Sequence, residues 1–217
     1  MIFDNKSAVI FDLDGTLYDN RMLPLRLIVA DPFNILKLRA ERKARKQLKG
    51  IDFKDAAGVY DALFAKMAKI NRLLSVEKAR EWYQEVYMPT QVAMLALYEK
   101  PRPCVDNLLQ SLRDSGMKLV LYTDYGHARE KVQALNIDPA YFDVIASAPK
   151  MGGLKPCKQS IERLLEHCGL TADQCIMIGD RDDTDGAAAK SVGMGFYNVK
   201  KQGWDELLKE VINDIYV

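Results

Sequence analysis

Outside residues 20–96 the chain repeats one pattern, a short β-branched or apolar run followed by a segment of helical period. The runs Ala8–Phe11, Lys118–Tyr122, Phe142–Ala146, Cys175–Ile178 and Gly195–Val199 read as strands. Between them Val105, Leu108, Leu109 and Leu112 recur at helical spacing and stop at Gly116. Ile161, Leu164, Leu165 and Cys168 do the same, with Pro156 ahead of them and Gly169 just past the end, where helices accept those residues. Strands alternating with helices predict an α/β fold, a parallel sheet with helices on both faces.

Residues 20–99 have a different texture. Strand signals vanish, and FKDAAGVYDALFAKMAKINRLL and VEKAREWYQEVYMPTQVAMLALY carry helical periodicity with abundant Ala, Lys and Glu. We expect an all-α cap insertion over 20–99 and a sheet domain built from 1–19 and 100–217, resuming at EKPRP, where two prolines resist continuing the preceding helix. A chain of 217 residues that is 48% hydrophobic can bury one core with such an insertion. The apolar stretch MLPLRLIVADPFNILKL is broken by Pro24, Arg26, Asp31 and Pro32, so no membrane span is expected. The first residues lack the features of a signal peptide, which leads us to expect a reducing, cytoplasmic setting without disulfides. Cys104, Cys157, Cys168 and Cys175 form no Cys-x-x-Cys pair, and His127 and His167 stand at no metal-ligand spacing, which argues against zinc.

The polar signals fall at the carboxyl ends of the expected strands, where ligands gather in an open parallel sheet. Asp12 and Asp14 follow the first strand, Thr123 and Asp124 the second, and GDRDDTDG, residues 179–186, the fourth; Lys155 lies in GGLKP just before a helix. Two carboxylates one residue apart repel, and the pair is costly to bury unless a cation or a proton is shared there. A calcium loop fails on spacing, because the twelfth position from Asp12 is Leu23 and the sixth from Asp180 is Asp185. Phosphoryl transfer wants this set. Asp12 and Asp180 can hold magnesium, Lys155 and Thr123 can grip phosphate oxygens, ionised Asp12 can attack phosphorus, and Asp14, with its pKa raised, can serve as acid and base. Gly15 permits a sharp turn that leaves the amides beyond it facing the phosphate.

DLDGTLYD, the Thr of LVLYTD, the Lys of GGLKP and the acidic GDRDDTDG resemble, in order and in strand context, the four motifs of the haloacid dehalogenase superfamily. The resemblance covers residues 1–19 and about 100–217 and implies a Rossmann-like core. It implies Asp12 as nucleophile and Asp14 as acid/base whose backbone carbonyl also binds Mg2+. By the same likeness Thr123 and Lys155 bind phosphate, Asp180 ligates the metal, Asp185 supports it through water, and residues 20–99 form a mobile cap. Dehalogenases of the superfamily lack an acid at the position of Asp14, so the phosphatase branch is favoured, with a small phosphorylated metabolite as substrate. Asp124 stands where relatives frequently carry Asn.

Two alternatives stay open at this point, a sugar phosphomutase of the same superfamily and a non-catalytic regulatory protein that binds through the basic cap. That basic run, KLRAERKARKQLKG over residues 37–50, reads by default as a solvated helix face. If it captures an anionic substrate, Lys43, Arg45 and Lys46 are its candidates; no nucleic acid is expected, because no aromatic residue is interleaved through it. Trp82, Tyr83 and Tyr87 are expected in the cap core, His127 at the surface of a helix start, and Cys157 as a reduced packing residue. The number of copies in the assembly is not readable from the sequence.

Overall fold

The computed structural model describes residues 2–215. Five parallel strands, β1 (Ala8–Phe11), β2 (Lys118–Thr123), β3 (Val144–Ser147), β4 (Cys175–Gly179) and β5 (Gly195–Asn198), form one sheet in the order β3-β2-β1-β4-β5. The expected α/β class is therefore borne out. The third strand begins at Val144 rather than Phe142, because Pro139–Tyr141 makes a 3-10 turn that ends at Phe142.

Each buried strand feeds two cores, since successive side chains point to opposite faces. Val9 and Phe11 of β1, Leu119 and Leu121 of β2, and Ile176 and Ile178 of β4 pack with α6 (Val105–Asp114), α7 (Ala128–Ala134) and α10 (Trp204–Ile215). Ala8, Ile10, Val120, Tyr122, Cys175 and Met177 pack on the other face with α8 (Lys158–Cys168) and α9 (Ala187–Ser191).

From β1 to α6 the chain is helical: α1 (Leu23–Ala30), α2 (Ile35–Leu48), α3 (Ala56–Ile70), α4 (Val76–Trp82) and α5 (Met88–Tyr98). Asp55 caps α3 by accepting from the Gly58 N–H at 2.8 Å, and Ser75 caps α4 by accepting from the Lys78 N–H at 3.2 Å. One π-turn at Tyr83–Tyr87 joins α4 to α5 and directs three aromatics inward. Trp82 stacks on Tyr87 with centroids 5.0 Å apart, and Tyr83 lies 5.5 Å from both Phe64 and Tyr87, so these rings are packing residues of the helical insertion as expected. The insertion's buried side chains are continuous with the core on the α6, α7 and α10 face of the sheet. Among the described residues no helix is long and apolar enough to cross a membrane. The cysteines are all free.

Candidate active site

Register brings the sheet's polar ends together. Phe11 pairs with Leu121 on one side and Ile178 on the other, so Asp12, Thr123 and Asp180, each just beyond those positions, emerge along one rim. A cavity of about 580 Å3 opens over them. Its walls hold Asp12, Asp14, Thr123, Lys155, Asp180 and Asp185, so all six residues singled out in the sequence line one space.

Two hydrogen-bonded groups meet there. In the first, Lys155 Nζ donates to Asp12 Oδ1 at 2.7 Å, to Asp185 Oδ1 at 2.7 Å and to the Tyr122 carbonyl at 3.1 Å, while Thr16 Oγ1 donates to Asp12 Oδ2 at 2.8 Å. Asp180 Oδ2 accepts from Lys200 Nζ. In the second, Asp14 Oδ1 accepts from Tyr18 OH at 2.5 Å and from Lys131 Nζ at 2.6 Å, and Asp14 Oδ2 accepts from Thr123 Oγ1 at 3.0 Å. The repulsion between the two aspartates is thus relieved separately for each, by Lys155 on one side and Lys131 on the other.

The charge states differ from the expectation for this pair. Burial pushes Asp12 up from 3.8 to about 8 against the pull of Lys155, with Asp185 and Asp14 adding to the rise. Burial also opposes ionisation of Asp14, but the Lys131 ammonium and the hydrogen bonds from Lys131, Tyr18 and Thr123 outweigh it and hold its carboxyl below the ordinary value. A raised pKa at Asp14 is therefore not what this arrangement produces; a fully buried lysine, unmarked in the sequence, reverses it. Burial likewise raises Asp180 and Asp124. Asp124 is used as a tie: its Oδ1 accepts the Lys155 backbone N–H at 2.8 Å, fastening the end of β2 to the lysine loop.

Glycines make the crowding possible. Gly15 has φ +98°, and a Cβ there would collide with Asp180 Oδ2; a Cβ at Gly179 would collide with the Asp185 side chain. Arg102 donates to the Thr16 and Gly15 carbonyls at 2.6 and 3.0 Å and so fixes the turn after Asp14.

One carboxylate oxygen from each of Asp12, Asp180 and Asp185 lies within 4.8 Å of the others, and all three residues are buried. A buried, all-oxygen, acidic donor set suits a hard divalent cation such as Mg2+. The expected pH dependence follows. Between pH 3.8 and about 8 the folded, metal-free protein holds on Asp12 a proton that the unfolded chain has released, so its stability falls as pH rises through that window. A magnesium ion held by these carboxylates would favour the ionised form of Asp12, so its addition should raise Tm more at pH 8 than at pH 5. At a hundredfold excess over Kd the gain is about 2.7 kcal/mol, or roughly 5–10 °C for a chain of this size. Differential scanning fluorimetry checks this; equal shifts at both pH values would remove Asp12 from the cation site.

The basic run lies on α2 and divides by face. Arg45 is buried: its Nε meets Glu41 at 2.6 Å, Nη2 donates to Tyr83 OH at 3.0 Å, and Nη1 donates to the Asp124 carbonyl at 3.0 Å, joining the helical insertion to the sheet domain. Lys43 is exposed and lines no part of the cavity. Arg42, Arg45, Lys46 and Lys49 do line it, but Arg45 is committed to Glu41, so of the three capture candidates Lys46 alone lines the cavity without an acidic partner. His127 is exposed at the start of α7, and Cys157 is buried, both as expected.

Comparison with known proteins agrees with this architecture. The model of the haloacid dehalogenase-like hydrolases matches residues 6–193. A phosphoglycolate phosphatase of Aquifex aeolicus is 28% identical over 188 residues, covering 86% of this chain and 81% of that protein. A glyceraldehyde 3-phosphate phosphatase of Methanocaldococcus jannaschii is 26% identical, covering 95% and 90%. The crystal structure of a 2-haloacid dehalogenase from Pseudomonas syringae superposes with a TM-score of 0.63 at 19% identity, over 96% of this chain and 99% of that one. With its parallel sheet, its helical insertion after the first strand and its carboxylates along one rim, the chain belongs to the haloacid dehalogenase-like hydrolase family.

Proposed function

We propose that the protein is a magnesium-dependent phosphatase that hydrolyses a small phosphomonoester through a phosphorylated Asp12, with α1–α5 (residues 20–99) as its cap and the cytoplasm as its setting. The observation that carries this reading is the pair of separately compensated carboxylates, Asp12 on Lys155 and Asp14 on Lys131, under one cavity. The relatives named as phosphatases of small phosphorylated metabolites support it. So does the acid at position 14.

In this reading Asp12 Oδ attacks phosphorus and the bond from phosphorus to the ester oxygen breaks, leaving the phosphoryl group on Asp12. The leaving oxygen takes a proton from Asp14, which the incoming phosphate dianion pushes toward its protonated form against the pull of Lys131. Water then attacks phosphorus, gives its proton to Asp14, and releases phosphate and free Asp12. Lys155 and Thr123 hold phosphoryl oxygens, and Lys155 balances Asp12 between turnovers. Asp12, the Asp14 carbonyl and Asp180 would hold Mg2+, with Asp185 behind them; the cation would supply charge neutralisation for the transferred group.

Phosphate release from a panel of phosphomonoesters, with magnesium and with chelator, tests the activity. Asp14→Asn tests the assignment of roles. It should lower kcat for an alkyl phosphate by about 100-fold or more, on the scale of general acid catalysis, and lower it less for p-nitrophenyl phosphate, whose leaving group needs little protonation. Equal losses on both substrates would withdraw the leaving-group step from Asp14.

A further inference from the structure

We propose that the substrate carries a second anionic group beside the scissile phosphate, held by Arg42 and Lys46 of α2. The inference rests on the phosphatase reading and adds to it the chemical class of the leaving group.

The cations of the main cavity are mostly committed. Lys155 is taken by Asp12 and Asp185, Arg45 by Glu41, and Arg181 by Asp183 through two contacts of 2.9 and 2.6 Å. Lys49 lies 3.9 Å from Asp183. Arg42 and Lys46 remain; among the described residues neither has an acidic partner or a hydrogen bond, yet both line the cavity over the carboxylates. They stand four apart on one helix, the spacing at which like charges face each other and destabilise the helix slightly. Glu41 and Asp52, the acids nearest in sequence on the insertion, are occupied by Arg45 and by Lys54 with Arg163. The two cations therefore present uncompensated charge to whatever enters the cavity.

A second, smaller cavity of about 90 Å3 adjoins the first and sets the direction. Asp14, Asn20, Arg42 and Tyr125 line both, and Leu23, Pro24 and Leu27 wall the smaller one. In the proposed reaction the leaving group departs on the Asp14 side. There it would meet a short apolar wall for a few carbons and the Arg42 guanidinium at the boundary. A fork of N–H donors suits a carboxylate or a phosphate, and Lys46, one turn on, adds a point charge.

The test is a selectivity ratio in the magnesium-loaded protein. Ethyl phosphate, phosphoglycolate and propane-1,3-diyl bisphosphate share the phosphomonoester and differ in carrying no second anion, a carboxylate or a second phosphate. The wild-type kcat/KM should favour one or both acidic substrates over ethyl phosphate by about 10- to 100-fold, the scale of a charge-assisted hydrogen bond, and the better of the two identifies the group. In the Arg42→Gln, Lys46→Gln double variant the ratio should collapse toward one, while Arg42→Lys with Lys46 intact should keep part of it. A wild-type ratio near one, or a ratio unchanged in the double variant, overturns the proposal even if all three compounds are hydrolysed. Should none be hydrolysed, the wider panel of phosphomonoesters decides the phosphatase reading and calorimetry decides the anion site. Wild-type protein with magnesium should bind an acidic compound at least tenfold more tightly than ethyl phosphate, a difference lost in the double variant; equal binding overturns the site.

Discussion

Asp12→Asn is expected to abolish turnover while leaving the fold intact. The amide keeps the size of the carboxyl; its oxygen can still accept from Lys155, 2.7 Å from Asp12 Oδ1, while its NH2, in the place of Oδ2, can donate to the Thr16 hydroxyl 2.8 Å away. It cannot form an acyl phosphate. The loss should be on the scale seen when a nucleophile is removed, roughly 10^4-fold or more in kcat. Stability in metal-free buffer should rise near pH 8, because the variant no longer buries a carboxylate whose pKa burial has pushed up to about 8. The falling limb of stability with pH should flatten with it. Mass spectrometry of acid-quenched protein during turnover supplies the direct check, a phosphoryl adduct on wild type and none on the variant. More than a few per cent of the wild-type rate in Asp12→Asn would move the nucleophile elsewhere.

Lys155→Met is expected to remove both activity and stability. Lys155 is buried between Asp12 and Asp185, and burial's pull on its charge is outweighed by those two carboxylates, so its pKa stands well above the ordinary value. Removing one partner of a buried ion cluster costs about 3–5 kcal/mol, because the remaining charges lose their compensation. For a chain of this size that is roughly a 10 °C fall in Tm. Adding Asp185→Asn to Lys155→Met should return much of the lost stability, since the surplus carboxylate is gone, but none of the activity, since the cation proposed to hold the phosphoryl group is still missing. Single and double variants that melt together would show that Lys155 is not the cluster's charge balance.

The α/β class follows from signals that are local in sequence. Each strand is a short apolar run and each helix a 3.6-period segment, so alternation alone implies a parallel sheet with helical crossovers. The carboxylates at the strand ends were legible for the same reason: once Phe11 and Ile178 are strand termini, Asp12 and Asp180 have to emerge at the same rim. The boundary at Phe142 was not legible, because a 3-10 turn and a strand start both accept an aromatic residue after Pro139, Ala140 and Tyr141.

What the tertiary structure alone decided concerns charges brought together across the chain. Lys131 sits on a short helix 117 residues from Asp14, and nothing about AREKVQA distinguishes the lysine that is buried on a carboxylate from one in solvent. Its arrival reverses the expected titration of Asp14, because the electrostatic environment of a buried group is summed over neighbours in space. The basic face of α2 is a second case. The sequence supplies Arg42, Lys43, Arg45 and Lys46 as four similar cations, but packing sets the helix's rotation about its axis. That rotation buries Arg45 on Glu41, leaves Lys43 outside, and turns Arg42 and Lys46 over the cavity. Periodicity along a chain fixes which residues share a face; which face meets the site is a property of the packed molecule.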